Sequence, residues 1–237
     1  MKRMLLNCFA LVAEALLVLP TPVNAQDYIP VPTPRPTATE QLGDLLKSTS
    51  LSGLPEEEKA CRKRLRQKGV RFKAIEQISG DGECGIEYPL DIGVLPGGVK
   101  LSGRTILNCD AGEALADWTA GVAAGAARAQ FQTTLKRIDQ YASYDCRTRN
   151  NRPGAKISQH SLGNAIDIGR FHMKDGTVVD VATSLPEETP EQRFLKTLRD
   201  AGCTFFTTVL GPGSDVHHHD HFHFDIISRR NGYRYCK

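Results

Sequence analysis

The sequence predicts an α+β domain, a small antiparallel sheet with flanking helices, held together by disulfides. Three observations carry that prediction. Strand-like and helical runs come in a mixed order, with helices interrupting an antiparallel-looking sheet. Two segments have clear helical periodicity with start signals. Of the seven cysteines in 237 residues, six fall within the region where those elements lie.

In chain order, Lys2 and Arg3 precede an apolar run from Met4 to Leu19 and a small-residue exit at Val23-Asn24-Ala25. That pattern describes a cleaved secretory signal over 1–25. Glu14 inside the run leaves an uncleaved anchor as the alternative. Residues 26–54 read as a tether, because proline at every second position from Pro30 to Pro36 favours extended polyproline backbone and excludes a helix. The domain is expected over 55–237. Its first helix begins at Pro55 and runs to about Gln67, with Gly69 ending it. Strands follow over Arg71 to Ile78 and Gly85 to Val94.

Asp110 and Glu113 form a capping-box pattern ahead of Leu115, Trp118, Val122 and Ala126, which share one helical face. Leu135 to Tyr144 reads as a strand. Ile166 to Met173 and Thr177 to Val181 flank Asp175-Gly176, a hairpin turn. A third helix over Pro190 to Ala201 buries Phe194, Leu195 and Leu198. Strands over Phe205 to Leu210 and Phe222 to Ile227 complete the order.

An exported chain retains Cys61, Cys84, Cys109, Cys146, Cys203 and Cys236 once Cys8 leaves with the signal. An even set in an oxidising compartment reads as three disulfides, with the pairing open. No two lie at the spacing of a cysteine zinc cluster. The net charge of +3 gives no nucleic-acid footprint. The basic run Arg62 to Lys68 follows Glu56 to Glu58, an order that suits the dipole of one solvated helix.

Chemistry concentrates in two segments, Ser158 to Asp167 and His217 to Asp225. In the first, a turn at Gly163 can bring His160 and Asp167 together. Strand alternation then sends Asp167 one way and its flanking isoleucines the other. A carboxylate in an apolar neighbourhood needs a cation or strong donors. In the second, a strand from Phe222 places His221, His223 and Asp225 on one face and Phe222 and Phe224 on the opposite one. Two histidines and an aspartate can hold a Zn²⁺ with one position open, and a second aspartate is left over as a base. His217, His218 and His219 are explained by loose metal binding and take no catalytic role here.

The pattern S-Q-H-x-x-G-x-A-x-D followed by D-x-x-H resembles the two motifs of the zinc D-alanyl-D-alanine peptidases, which share a fold with murein endopeptidases and the hedgehog signalling domain. More closely, about 56–237 resembles the extensin-like C-terminal domain of bacterial exported proteins. The residues that carry this are Ser143 to Arg147, Ser158 to Asp167, Val209 to Gly213 and His219 to Asp225.

The resemblance implies His160, Asp167 and His223 as ligands of one Zn²⁺. Asp220 stands in the place of a glutamate base, and His221 would stabilise an oxyanion or share the base role. Arg147 would grip a substrate carboxylate, for which a guanidinium fork is suited. Ser158 and Gln159 would bond substrate at the rim or shape the turn. The implied activity is peptide hydrolysis in peptidoglycan by an exported periplasmic or secreted enzyme, with no stable membrane insertion. A non-catalytic wall-binding domain and a histidine-rich metal buffer stand as the alternatives.

Overall fold

A computed structural model describes residues 53–182, 186 and 188–237. The signal expected over 1–25 and nearly all of the tether expected over 26–54 lie outside them.

Helix α1 spans Glu56–Gln67, with three glutamates in its first turn and arginines in its last. Strand β1 (Arg71–Ala74) follows, then a small hairpin of β2 (Ile78–Ser79) and β3 (Gly85–Ile86), then β4 (Leu90–Leu95), β5 (Val99–Leu101) and β6 (Ile106–Leu107). Helix α2 (Cys109–Trp118) continues through a π-turn at Thr119–Ala123 into α3 (Ala124–Phe131). Next come β7 (Leu135–Ala142), β8 (Ala165–Met173) and β9 (Val178–Asp180). Helix α4 (Pro190–Gly202), β10 (Thr208–Leu210), β11 (Phe222–Asp225) and β12 (Tyr235–Cys236) close the chain.

The α+β class holds, but the sheet is neither small nor purely antiparallel. Ten strands share it in the order β1-β4-β5-β7-β8-β11-β10-β12, with β6 on β4 and β9 on β8. The pairs β5/β7 and β10/β12 are parallel. Strands of two or three residues such as β5, β6 and β12 are too short to show a period, so sequence patterning could not register them. The parallel β5/β7 pair needs a crossover, and α2 and α3 lie in it.

The second helix also starts differently. Its cap is Asn108, whose side chain accepts from the Ala111 N–H. Glu113 is drawn outward instead, to Arg64 of α1 at 2.7 Å and to Lys68, the residue that caps its C-terminus, at 2.9 Å. Hydrogen bonds from Arg64, opposed by partial burial and helped by Lys68, hold its carboxyl down at about 2.

Beneath the sheet, Trp118 packs edge-on to Phe224 and tilts against Phe171, and its indole N–H donates to the Leu198 carbonyl of α4. Phe222, Phe224, Ile166 and Ile168 are buried on this inner side. Alternation along β8 and β11 therefore sends Asp167 and His223 to the other side, facing each other across the ladder.

The disulfides pair Cys61 with Cys109, Cys84 with Cys146, and Cys203 with Cys236. The first ties α1 to the start of α2. The second anchors the chain just before Arg147. The third holds the last strand beside α4. No helix among the described residues is long and apolar enough to cross a membrane.

Candidate metal centre

Both histidines of the centre have one ring nitrogen committed to an outer acceptor, which turns the other nitrogen toward Asp167. Ser158 caps a short 3-10 turn, Gln159–Leu162, that carries His160 into the interior. Gly163 ends the turn at φ 66°. A Cβ there would collide with the Ile86 side chain, so the glycine is required twice over, by backbone conformation and by space. His160 is fully buried, and its Nδ1 lies 2.6 Å from the Ser143 carbonyl oxygen. A carbonyl only accepts, so Nδ1 carries a proton, and Nε2 is the nitrogen turned toward Asp167. On β11, His223 Nε2 lies 3.3 Å from Asp225 Oδ2, which leaves its Nδ1 as the free nitrogen.

Those two free nitrogens converge on Asp167. His160 Nε2 and His223 Nδ1 are 3.1 Å apart, and they lie 3.2 Å and 2.8 Å from Asp167 Oδ1. Tetrahedral zinc with bonds of about 2.0–2.1 Å sets neighbouring ligand atoms roughly 3.3 Å apart. The three side chains fit that ion in number, donor type and spacing, and the acceptors behind both imidazoles supply the outer shell such ligands need. Among the described residues, His160, Asp167 and His223 are a group whose ligand atoms lie close enough together to hold a metal ion.

Without a metal the cluster stores charge. Burial disfavours the Asp167 carboxylate, yet hydrogen bonds from His160 and His223 hold it well below the usual carboxylate range. Burial also opposes protonation of His223, but Asp167 and Asp225 outweigh it and raise that imidazole to about 9. Asp225 is itself buried and is kept ionised chiefly by His223.

The remaining expected residues sort by position. His221 Nε2 stands 3.7 Å from Asp167 Oδ1, so its ring faces the centre. Asp220 lies behind it, with Oδ1 2.9 Å from His221 Nδ1 and a side chain 55% exposed. The arrangement is a carboxylate–imidazole pair in series, not two groups side by side. Arg147 is held by Asp145 at 2.8 Å and has Nη2 4.0 Å from Asp167 Oδ2. Ser158 and Gln159 line the same cleft, and both also serve the turn: Ser158 Oγ accepts the His160 N–H, and Gln159 Oε1 accepts from Asn164.

Two participants escaped the sequence reading. Asp225 was placed on the correct face but given no task, and it is the outer partner of His223. His218, set aside as part of a loose cluster, is buried with Nδ1 2.7 Å from Asp215 Oδ1, and its ring is 5.2 Å from His221 and 5.7 Å from His223. Burial pushes its pKa down against the pull of Asp215. The D-x-x-H spacing of Asp215 and His218 repeats that of Asp220 and His223, and it was the available signal.

The three candidate ligands, His218, His221 and Arg147 line one cleft of about 430 Å³, whose walls also carry Arg149 and Arg229. Such a cleft can hold a divalent cation, a water beside an imidazole base, and an anionic group on arginine. No curated protein and no solved structure matches the chain. Residues 59–237 match the model of the extensin-like protein C-terminus, and the chain belongs to that family.

Proposed function

We propose that this protein is an exported zinc-dependent peptidase acting on the peptide moiety of bacterial peptidoglycan, either as a D,D-endopeptidase or as a carboxypeptidase. The observation that carries the reading is the combination of two buried ligands and a half-buried third with a carboxylate-backed imidazole, His221, aimed at the same point. A structural metal site is closed and needs no base, whereas a hydrolytic one keeps an open position beside a proton acceptor. The motif likeness to the zinc D-alanyl-D-alanine peptidases supports the same conclusion. The leader pattern and three disulfides support export to an oxidising compartment.

His160, Asp167 and His223 would hold Zn²⁺, which when bound would supply Lewis acidity for activating a water and polarising a peptide carbonyl. His221 takes the proton of the attacking water at Nε2. Asp220 accepts from Nδ1, fixes that tautomer and stabilises the imidazolium that results. The same imidazolium then returns the proton to the leaving amine. Arg147, steadied by Asp145, receives a substrate carboxylate at the cleft wall. His160, locked onto the Ser143 carbonyl, cannot switch tautomer and so remains a ligand throughout.

Digestion of purified peptidoglycan by the protein, with and without a chelator and followed by mass spectrometry, tests the proposal. Chelator-sensitive release of peptide fragments, restored by zinc, is the expected result. Absence of any such product across several wall chemistries would refute the enzyme and leave a wall-binding domain.

A further inference from the structure

Beside the metal centre, the outer side of β7 and β8 carries a second organised surface. Tyr141 is one of the few large apolar side chains exposed among the described residues, at 52%. Its ring is nevertheless held in place. It lies face-on against Gly169, where any Cβ would collide with ring atoms Cζ, Cε1 and Cε2. One face of the ring is therefore covered by the strand, and the other is open to solvent.

The ladder register explains how this is built. Gln140 pairs with Ile168 and Ala142 with Asp167, so Tyr141 is extruded between them. On the partner strand, Asp139 pairs with Arg170 and Gln140 with Ile168, so Gly169 is skipped. Two facing bulges re-aim the side chain between them.

The position matters as much as the geometry. Gly169 is two residues from the ligand Asp167, or about 7 Å along the strand. On its other side, His221 immediately precedes Phe222, which pairs with Ile168. Tyr141 on β7, Gly169 on β8 and the base candidate His221 at the entry to β11 thus follow one another across the sheet. Further along the same two strands, polar groups are fixed by one another. Arg170 is paired with Asp180, Asp139 Oδ2 lies 2.6 Å from His172 Nε2, and Arg137 Nε lies 2.8 Å from Asp139 Oδ1.

We infer that Tyr141 is a stacking platform for a sugar ring of the glycan strand to which the substrate peptide is attached. The inference rests on the peptidoglycan reading and names a subsite beyond the peptide. A pyranose ring has an apolar face of C–H bonds and a rim of hydroxyls. A flat aromatic face, with fixed donors and acceptors further along the same strands, complements both. Tyrosine provides that face with little ordering cost, because its two side-chain torsions are already set by Gly169.

The test uses peptide-free glycan strands of N-acetylated amino sugars, titrated into the protein by calorimetry. Tyr141→Leu keeps an apolar cover over Gly169 but removes the planar face, and Tyr141→Phe restores the face. The Leu variant is expected to bind the strands roughly 10-fold more weakly than wild type, and the Phe variant within about threefold of it. Hydrolysis of glycan-free cross-linked peptides by the Leu variant should run at the wild-type rate.

No binding of peptide-free strands by wild type, or equal binding by the Leu variant with an unchanged circular dichroism spectrum, overturns the inference. Equal loss of glycan-free peptide hydrolysis also overturns it, since the ring would then contact peptide. Failure of wild type to hydrolyse any peptide counts against the peptidase alone, and the glycan titration still decides the subsite.

Discussion

Replacing Asp225 with asparagine tests the metal centre through its outer shell. In the metal-free protein, Asp167 and Asp225 raise His223 to about 9 against the effect of burial. A metal must displace that proton, so at pH 7 the competition weakens apparent affinity by about 100-fold, tenfold for each of two pH units. The sign follows directly. Apparent affinity for zinc rises about tenfold per pH unit up to roughly 9 and then levels, because above that pH no proton remains on His223 to displace.

Asp225→Asn removes one of the two carboxylates that favour the imidazolium, so the levelling point moves to lower pH. It also removes the acceptor that orients His223, an outer-shell loss of about 10–100-fold in metal affinity. The two effects oppose each other at neutral pH and separate at high pH. The variant should fall further behind wild type at pH 9 than at pH 7. Competition with a chromophoric chelator between pH 6.5 and 9.5 reads both curves. A wild-type affinity that does not change between pH 7 and 8, or a variant curve parallel to it throughout, would refute the reasoning.

Other outcomes follow from the same geometry. His221→Ala should lower turnover on wall peptides by about 10²–10⁴-fold with zinc affinity nearly unchanged, while Asp220→Asn should lower it less, as kinetics beside zinc titration would show. Gly163→Ala should cost roughly 1–3 kcal/mol for its left-handed backbone, plus the collision with Ile86, read as a drop in melting temperature together with weaker zinc binding. Removing the Cys84–Cys146 bridge, which closes a sequence separation of 62, should cost about 4 kcal/mol by the loop-entropy relation. Proteolysis should then open the chain around Arg147 before it touches the sheet.

Much of the centre was legible because strand alternation is a local rule. Phenylalanines at 222 and 224 and isoleucines at 166 and 168 mark the buried side, and so they place Asp167 and His223 on the same opposite face. The third ligand depended on a turn, and Gly163 marked it. The parts that were missed are non-local or lack periodicity. The Asn108 cap displaced the expected Asp110 and Glu113 pattern because α1 lies close enough for Arg64 and Lys68 to take Glu113. His218 looked like one member of a loose histidine run, since burial by Asp215 and its neighbours is invisible along the chain.

From residue types and spacing alone, the sequence determined the α+β class, the half-cystines and the set of imidazoles and carboxylates able to bind a metal. These follow from side-chain chemistry and the two-residue and 3.6-residue periods, which are properties of short stretches. Only the tertiary structure decided the ten-strand order, the disulfide pairing, which nitrogen of each histidine is free, and that Asp220 stands behind His221. Each of those depends on a partner distant in sequence. The carbonyl of Ser143 selects the tautomer of His160, and the register of β11 against β8 sets His223 opposite Asp167.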